Sequence, residues 1–335
     1  VNTERMINGF LDDLSIKRKL LYDSVCVAEA AFRYFRDAGF PYPDLPVHVC
    51  MQQINKLRLM EGRSLLKTTC AYRVADTYHR HRYHGHVIGM KSPIEAYESD
   101  VDLQKAIRLH LKYQELGKEI PTKLYIVNGT QCCYNFRPGY ALYIYRKYGI
   151  DYGTVLDVST GYGGRLVGFI ASDMGCYIGF DPSIETHKGN ERLAADLAHG
   201  KSVVLYNQPI EDANAKEFSE TVDLAFTSPP YFCKEQYCDE ETQSWIRYKT
   251  TGEWCNRFLV PMMRFQHNAL RSGCLSIVNI ADVKIRNKRY PLVKWVIKAA
   301  EKVGFCLESE GKFFLSKRMG VGGEVATESV LVFRK

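Results

Sequence analysis

The sequence predicts an α/β chain, with a largely parallel sheet following an α-rich N-terminal segment. Three observations carry this prediction. Short apolar runs recur between residues 154 and 280, with helically spaced stretches between them. The first run opens onto a glycine-rich turn, Gly161-Tyr162-Gly163-Gly164. The last two runs, 305–309 and 328–334, follow one another, and the second alternates in the way an antiparallel hairpin strand does.

Each element has a local reason. Thr154-Val155-Leu156-Asp157 is a short apolar strand ending in an acid. The glycines after it allow positive φ and close approach of backbone to a ligand. Leu166, Val167, Phe169 and Ile170 begin the apolar face of the next helix. A strand–glycine turn–helix unit is a Rossmann-like nucleotide-fold fingerprint, and a NAD site is the obvious rival reading. The second strand runs from Cys176 to Asp181, an acid 24 residues after Asp157, placed to accept the ribose hydroxyls of a nucleoside cofactor. Ser202–Tyr206 is the third strand and leads to Glu211 and Asp212. The fourth, Val222–Thr227, delivers Ser228-Pro229-Pro230-Tyr231. The prolines stiffen that loop, because each fixes its own φ and biases the residue before it toward extended backbone. A helix over 253–270, a strand over 273–281 and a helix over 290–303 complete the pattern. Ahead of it, Asn135–Tyr148 reads as a helix with Pro138 in its first turn.

Four strand ends thus carry chemistry-bearing residues in a fixed order. In this they resemble the S-adenosylmethionine-dependent DNA amino-methyltransferases, whose catalytic motif has the form Ser-Pro-Pro-Tyr. The resemblance covers roughly residues 130–335. It implies a seven-stranded class I methyltransferase sheet and S-adenosylmethionine as cofactor. It implies a cofactor site of Asp157, Ser159, Gly161, Gly163, Asp181, Pro182 and Ser228, with Glu211 or Asp212 on the adenine amino group and Arg137 on the methionine carboxylate. It makes Ser228, Pro229, Pro230 and Tyr231 the catalytic residues. The chemistry suits them. An exocyclic amino nitrogen is a poor nucleophile because its lone pair is delocalised into the ring. The Ser228 hydroxyl and Pro229 carbonyl offer acceptors for its N–H bonds, and Tyr231 offers a face for an extruded base. The serine-first motif leans toward cytosine N4, with adenine N6 as the alternative. Where the family has D-P-F-x-G-x-G, this chain reads Asp157-Val158-Ser159-Thr160-Gly161-Tyr162-Gly163, without the proline and phenylalanine. A cytosine-C5 mechanism needs a cysteine after proline, and the chain has no Pro-Cys dipeptide.

Composition sets the setting. The 335 residues are 46% hydrophobic and 25% charged, as in a globular chain. Charges at Asp12, Asp13, Lys17, Arg18 and Lys19 argue against a signal peptide. Eleven cysteines without a leader predict reduced thiols and a cytoplasmic location, on bacterial or phage DNA. Net charge is +7, and +6 of it falls between Lys56 and Lys91, where eight Lys/Arg meet two acids. A polyanionic partner fits, namely duplex DNA with a flipped base. Gln52, Gln53, Lys56, Arg58, Arg73, Arg80, Arg82 and, in the loop after the catalytic motif, Arg247 are the expected DNA contacts; a solvated basic face is the plainer reading. Trp245 and Tyr248 of that loop are further nucleic-acid candidates, with packing as the alternative for Trp245. His79, His81, His84 and His86 have no paired cysteines at finger spacing nearby, so no metal is expected.

The resulting expectation is two domains: 1–120, α-rich, basic and target-recognising, and 121–335, catalytic. Residues 1–40 read as a packing helix pair, and 121–130 as a short strand or linker with a turn at Asn128-Gly129. An RNA or protein-amide methyltransferase, a NAD-linked oxidoreductase and a non-catalytic nucleic-acid-binding protein stand as alternatives. The NAD-linked class leaves Ser228–Tyr231 unexplained.

Overall fold

The computed structural model describes residues 25–112, 124, 129–314 and 327–335. The packing helix read over residues 1–24, and most of the strand or linker read over 121–130 with its turn at Asn128, therefore lie outside the described residues. Two compact units form. One combines the described residues of Val1–Asp44 with those of Arg80–Tyr134, and the other combines Leu45–His79 with the described residues of Asn135–Lys335.

The larger unit is built on a seven-stranded sheet. Its strands are β1 (Thr154–Asp157), β2 (Cys176–Phe180), β3 (Ser202–Tyr206), β4 (Val222–Thr227), β5 (Leu270–Ile280), β6 (Cys306–Phe314) and β7 (Thr327–Arg334). Their spatial order is β3-β2-β1-β4-β5-β7-β6. The first five are mutually parallel. β7 inserts antiparallel between β5 and β6. This is the Rossmann-like α/β sheet that the strand–helix alternation predicts, with its closing antiparallel pair. The strand order reverses beside β1, which puts the crevice of an open α/β sheet at the C-terminal ends of β1, β2 and β4.

The helices of this unit are α1 (Val47–Arg58), α2 (Tyr72–Tyr78), α3 (Pro138–Tyr148), α4 (Gly164–Ala171), α5 (Ile184–Leu197), α6 (Val260–Ala269) and α7 (Leu292–Val303). Pro138 occupies the first turn of α3, as its fixed φ allows. A π-helical stretch, Trp254–Leu259, leads directly into α6. Pro261 supplies the cause: it has no N–H to donate to the preceding turn, so the ladder widens there.

The division does not fall at residue 120. Cys50, Ile54 and Leu57 of α1 and Val74 and Ala75 of α2 share one core with Leu166, Val167, Phe169, Ile170 and Leu193 of α4 and α5. Residues 45–79 therefore fold with the sheet, because their apolar stripes have no other face to cover. The basic stretch from Lys56 to Lys91 is consequently split between the two units.

The smaller unit packs Val25–Ala38 with Pro93–Glu98 and Asp100–Lys112 around Ala31, Phe35, Ala96, Tyr97, Leu103 and Ile107. Ser92 and Glu95 form a reciprocal capping box at the start of the second of these helices. Among the described residues, no helix is long and apolar enough to cross a membrane. The ten cysteines whose side chains are described are free thiols.

Candidate active site

The strand ends bring most of the expected residues of the larger unit to one edge of the sheet. The glycine turn lies between β1 and α4. Gly163 caps α4 in the left-handed region at φ 76°, which an L side chain rarely adopts. Gly164 is required by contact: a Cβ there would lie 2.0 Å from the Phe136 carbonyl oxygen. Asn135 fastens the segment before α3 to this turn. Its Oδ1 accepts the Gly164 N–H at 3.1 Å, and its Nδ2 donates to the Tyr162 carbonyl at 2.9 Å. Arg137, two residues on, half-buried at the start of α3, donates to the Tyr140 hydroxyl at 3.2 Å. Among the described residues it meets no carboxylate, so its charge remains open to a ligand.

Asp157 has a different place from the one expected. It is fully buried, and its carboxylate accepts from Arg165 Nε at 2.7 Å and Nη2 at 3.2 Å. The Tyr177 hydroxyl at 2.7 Å, the Thr227 hydroxyl at 3.0 Å and the Ser159 N–H at 3.2 Å take its remaining acceptor capacity. Asp157 thus ties the ends of β1 and β4 to Tyr177 of β2 from inside and has little left for a cofactor. Ser159 serves the same arrangement, since its carbonyl receives Arg165.

Asp181, just past β2, does face the crevice side of the turn. Its Oδ2 accepts the Gly161 N–H at 2.9 Å, and its Oδ1 accepts the Ser183 N–H at 3.0 Å. No cation pairs with it among the described residues, and burial pushes its carboxyl up to about 6 despite the two backbone donors. A carboxylate in this state has most to gain from further hydrogen-bond donors, such as a pair of ribose hydroxyls.

The loop that follows Tyr231 is fastened back over these strand ends at two points. Glu240 accepts from the Ser183 hydroxyl at 3.1 Å and from the Ile184 N–H, at the N-terminus of α5, where a negative charge is favoured. Beside them, the Pro182 carbonyl receives the Thr242 hydroxyl at 3.3 Å. Farther along, Arg247 donates to Glu211 at 2.9 Å and, through two nitrogens, to Asp212 at 2.9 Å each. The Tyr248 hydroxyl also donates to Glu211 at 2.9 Å. Burial is the main reason the Glu211 carboxyl sits above its usual range. Arg247, expected on DNA, and Glu211 and Asp212, expected on the cofactor adenine, are therefore engaged with one another. Trp245 is also turned inward, its indole N–H donating to the Cys238 carbonyl at 3.2 Å.

At the end of β4, Ser228 and Tyr231 meet a residue that the sequence reading did not single out. Asn279, on β5 one position beyond the Thr227–Val278 pair, is fully buried. Its amide nitrogen lies 3.5 Å from Ser228 Oγ, 3.3 Å from the Tyr231 hydroxyl and 2.7 Å from a carboxylate oxygen of Glu328 on β7. The amide oxygen of Asn279 has no hydrogen-bond partner among the described residues. Glu235 lies close enough to oppose ionisation of Tyr231, and burial raises both groups above their usual ranges. The Tyr231 ring is largely enclosed, at 8% exposure. The end of β4 is thus rich in acceptors: Ser228 Oγ, the Asn279 amide oxygen and the carboxylates of Glu235 and Glu328. Asn279 and Glu328 stand 51 and 100 positions from Ser228 and carry no local motif.

The expected DNA contacts are dispersed. Gln52 and Lys56 are exposed on α1, while Gln53 and, on α2, Arg73 are half-buried. Arg58 donates to the Ile170 carbonyl at 3.0 Å. In the smaller unit, Arg80 is exposed and paired with Asp44 at 3.1 Å. Arg82 is buried and donates to the Cys133 carbonyl at 3.2 Å, so its charge is engaged inside the fold. No group of three or more His, Cys, Asp or Glu among the described residues is placed to hold a metal ion.

Neither a protein-family model nor a curated protein sequence matches the chain. Similar solved structures include a SAM-dependent methyltransferase from Methanosarcina mazei, 11% identical, covering 57% of this chain and 96% of its own, with a TM-score of 0.40. A TehB-like SAM-dependent methyltransferase from Corynebacterium glutamicum is 14% identical over 69% of this chain and 98% of its own, with a TM-score of 0.38. TrmN from Thermus thermophilus is 16% identical over 59% of this chain and 48% of its own, with a TM-score of 0.39.

Proposed function

We propose that this chain transfers a methyl group from S-adenosylmethionine to an exocyclic amino nitrogen of a base in DNA, cytosine N4 in the first place. The observation that carries the reading is the acceptor-rich edge formed by Ser228, Asn279 and Glu328 at the end of β4, on the same sheet edge as the glycine turn and Asp181. An amino group brings N–H donors, and a site of acceptors recognises it. The alternative of a NAD-linked oxidoreductase gives this edge no role.

The residues present fit the cofactor. Asp181 is a half-buried carboxylate with no cation paired to it among the described residues, Gly161 and Gly163 hold the turn in conformations open to close approach, and Arg137 stands unpaired by any described carboxylate at the start of α3. In this reading Asp181 holds the ribose, the turn supports the nucleoside and Arg137 attracts the carboxylate. Pro182 follows Asp181 on the same rim. When bound, S-adenosylmethionine supplies a methyl group on a sulfonium centre.

The chain's own contribution is positioning. Ser228 Oγ and the Pro229 carbonyl accept the two amino N–H bonds, which favours a pyramidal nitrogen with its lone pair free. Pro229 and Pro230 keep those acceptors from drifting. Asn279 steadies Ser228 and Tyr231 from the neighbouring strand, and Tyr231 supports the base. As the nitrogen becomes cationic the same acceptors stabilise it, and its surplus proton passes to water.

The test is incubation with isotopically labelled S-adenosylmethionine and, in parallel, DNA, RNA or protein, followed by nucleoside and peptide mass analysis. Labelled N4-methylcytosine is the expected product. N6-methyladenine would keep the reaction and change the base. Unlabelled DNA beside labelled RNA or protein would overturn the DNA reading.

A further inference from the structure

The densest basic segment of the larger unit lies next to the Ser228–Tyr231 loop and not in the stretch from Lys56 to Lys91. Residues 283–300 contain Lys284, Arg286, Lys288, Arg289, Lys294 and Lys298 and no acid, a charge of +6 in 18 positions. All six side chains are exposed. Four of them stand on a tight hairpin, Val283–Ile285 paired antiparallel with Lys288–Tyr290 across a two-residue turn. Val283 and Ile285 point inward and Lys284 outward.

The hairpin carries its charge at a cost. Lys284 lies directly opposite Arg289, and like charges in that position repel. Arg289 has Asp282 at 3.4 Å, but Lys284, Arg286 and Lys288 pair with no carboxylate among the described residues. Arg286 also holds a left-handed conformation, φ 54°, at the turn. Concentrated, uncompensated charge on a hairpin tip is suited to a polyanion.

Its position links it to the catalytic loop. Phe232, the residue after Tyr231, has its ring 5.5 Å from that of Tyr290, and Lys288 lies over the Tyr290 ring at 5.3 Å. The Trp295 ring, half-exposed, is 6.3 Å from Tyr290. Arg286 and Lys249 act electrostatically on Cys233, so both charges reach the loop itself. Cation and ring therefore alternate outward from the residues proposed to hold the base.

We propose that the hairpin Val283–Tyr290 docks the phosphate backbone of the DNA strand whose base enters at Ser228–Tyr231. This rests on the base-methylating reading of that loop, so binding and methylation are measured separately. The variant Lys284→Gln/Arg286→Gln/Lys288→Gln, made in the full chain, is titrated with a fluorescent DNA duplex over a range of salt. Each lost phosphate contact lowers the slope of log K against log salt by about 0.9, so a fall of up to about 2.7 is expected. S-adenosylmethionine affinity and the melting temperature should stay at wild-type values. An unchanged slope, or a wild-type chain that binds no duplex, overturns the proposal. Should the triple variant fail to fold, Arg286→Glu alone replaces it: weaker duplex binding at low salt supports the docking role, and undiminished binding overturns it. Hairpin-dependent binding without any methylated base would sustain the docking surface and defeat the methyltransferase reading.

Discussion

Arg165 donates to both carboxylate oxygens of Asp157, with the two side chains only 4% and 0% exposed. The pair lies beneath the glycine turn and joins β1 to the start of α4, so the shape of the turn depends on it. Removing one partner of such a pair leaves a buried, uncompensated charge, typically at a cost of about 3–5 kcal/mol. Arg165→Met should therefore destabilise the fold by about that amount in denaturant titrations, and adding Asp157→Asn should recover part of it. A loss below about 1 kcal/mol would show that Asp157 is not held in this way.

If Asp181 holds the ribose as proposed, cofactor binding should depend on pH. Its carboxyl is raised from an ordinary 3.8 to about 6 in the folded chain, chiefly by burial. A raised folded pKa means that the folded state holds the proton more tightly than the unfolded one. Its contribution to stability is present below about 4 and is lost as pH rises through about 6. Ribose hydroxyls donate to the ionised form, so cofactor affinity should move in the opposite sense and rise through the same window. Calorimetry between pH 5 and pH 8 on wild type and Asp181→Asn checks this. The substituted chain should bind more weakly and without the rise, whereas a pH-dependent Asp181→Asn would assign the effect elsewhere.

Tyr231→Ala should reduce single-turnover methylation far more than cofactor affinity. The ring stacks on the base in the proposed complex, a contact worth about 1–3 kcal/mol in comparable sites. Tyr231→Phe tests the hydroxyl, which sits beside Asn279 at 3.3 Å. It should keep the face, retain much of the activity and leave Ser228 less well held. Ser228→Ala should slow transfer with little loss of DNA binding. Wild-type rates in Tyr231→Ala would remove the motif from the reaction.

Arg247→Met should release the loop that follows the motif. Its guanidinium holds Glu211 and Asp212, and hydrogen bonds to charged groups are each worth about 1.5–3 kcal/mol. Hydrogen exchange over residues 232–252 should accelerate, while exchange in β1, β2 and β4 stays as it was. If the loop exchanges at the wild-type rate, the remaining contacts of Glu240, Thr242 and Tyr248 are enough to fasten it.

Local sequence determined the strands, the glycine turn, the helix started by Pro138 and the loop of Ser228–Tyr231. Each depends on near neighbours: apolar runs to be buried, glycines for left-handed backbone, prolines that stop a helix or begin one. The same signals placed Asp181 on the rim of the crevice. Tertiary structure decided which of the charged residues remain free. Asp157 is closed off by Arg165 and Tyr177, Arg247 by Glu211 and Asp212, and Arg82 by the Cys133 carbonyl. Asn279 and Glu328 reach Ser228 and Tyr231 only because β5 lies between β4 and β7 in the sheet. Residues 45–79 join the sheet unit because their apolar stripes fit α4 and α5. The physical reason is common to all of these. A side chain's local sequence sets its backbone and its tendency to be buried, whereas its hydrogen-bond partner is set by which distant strand or helix is brought alongside.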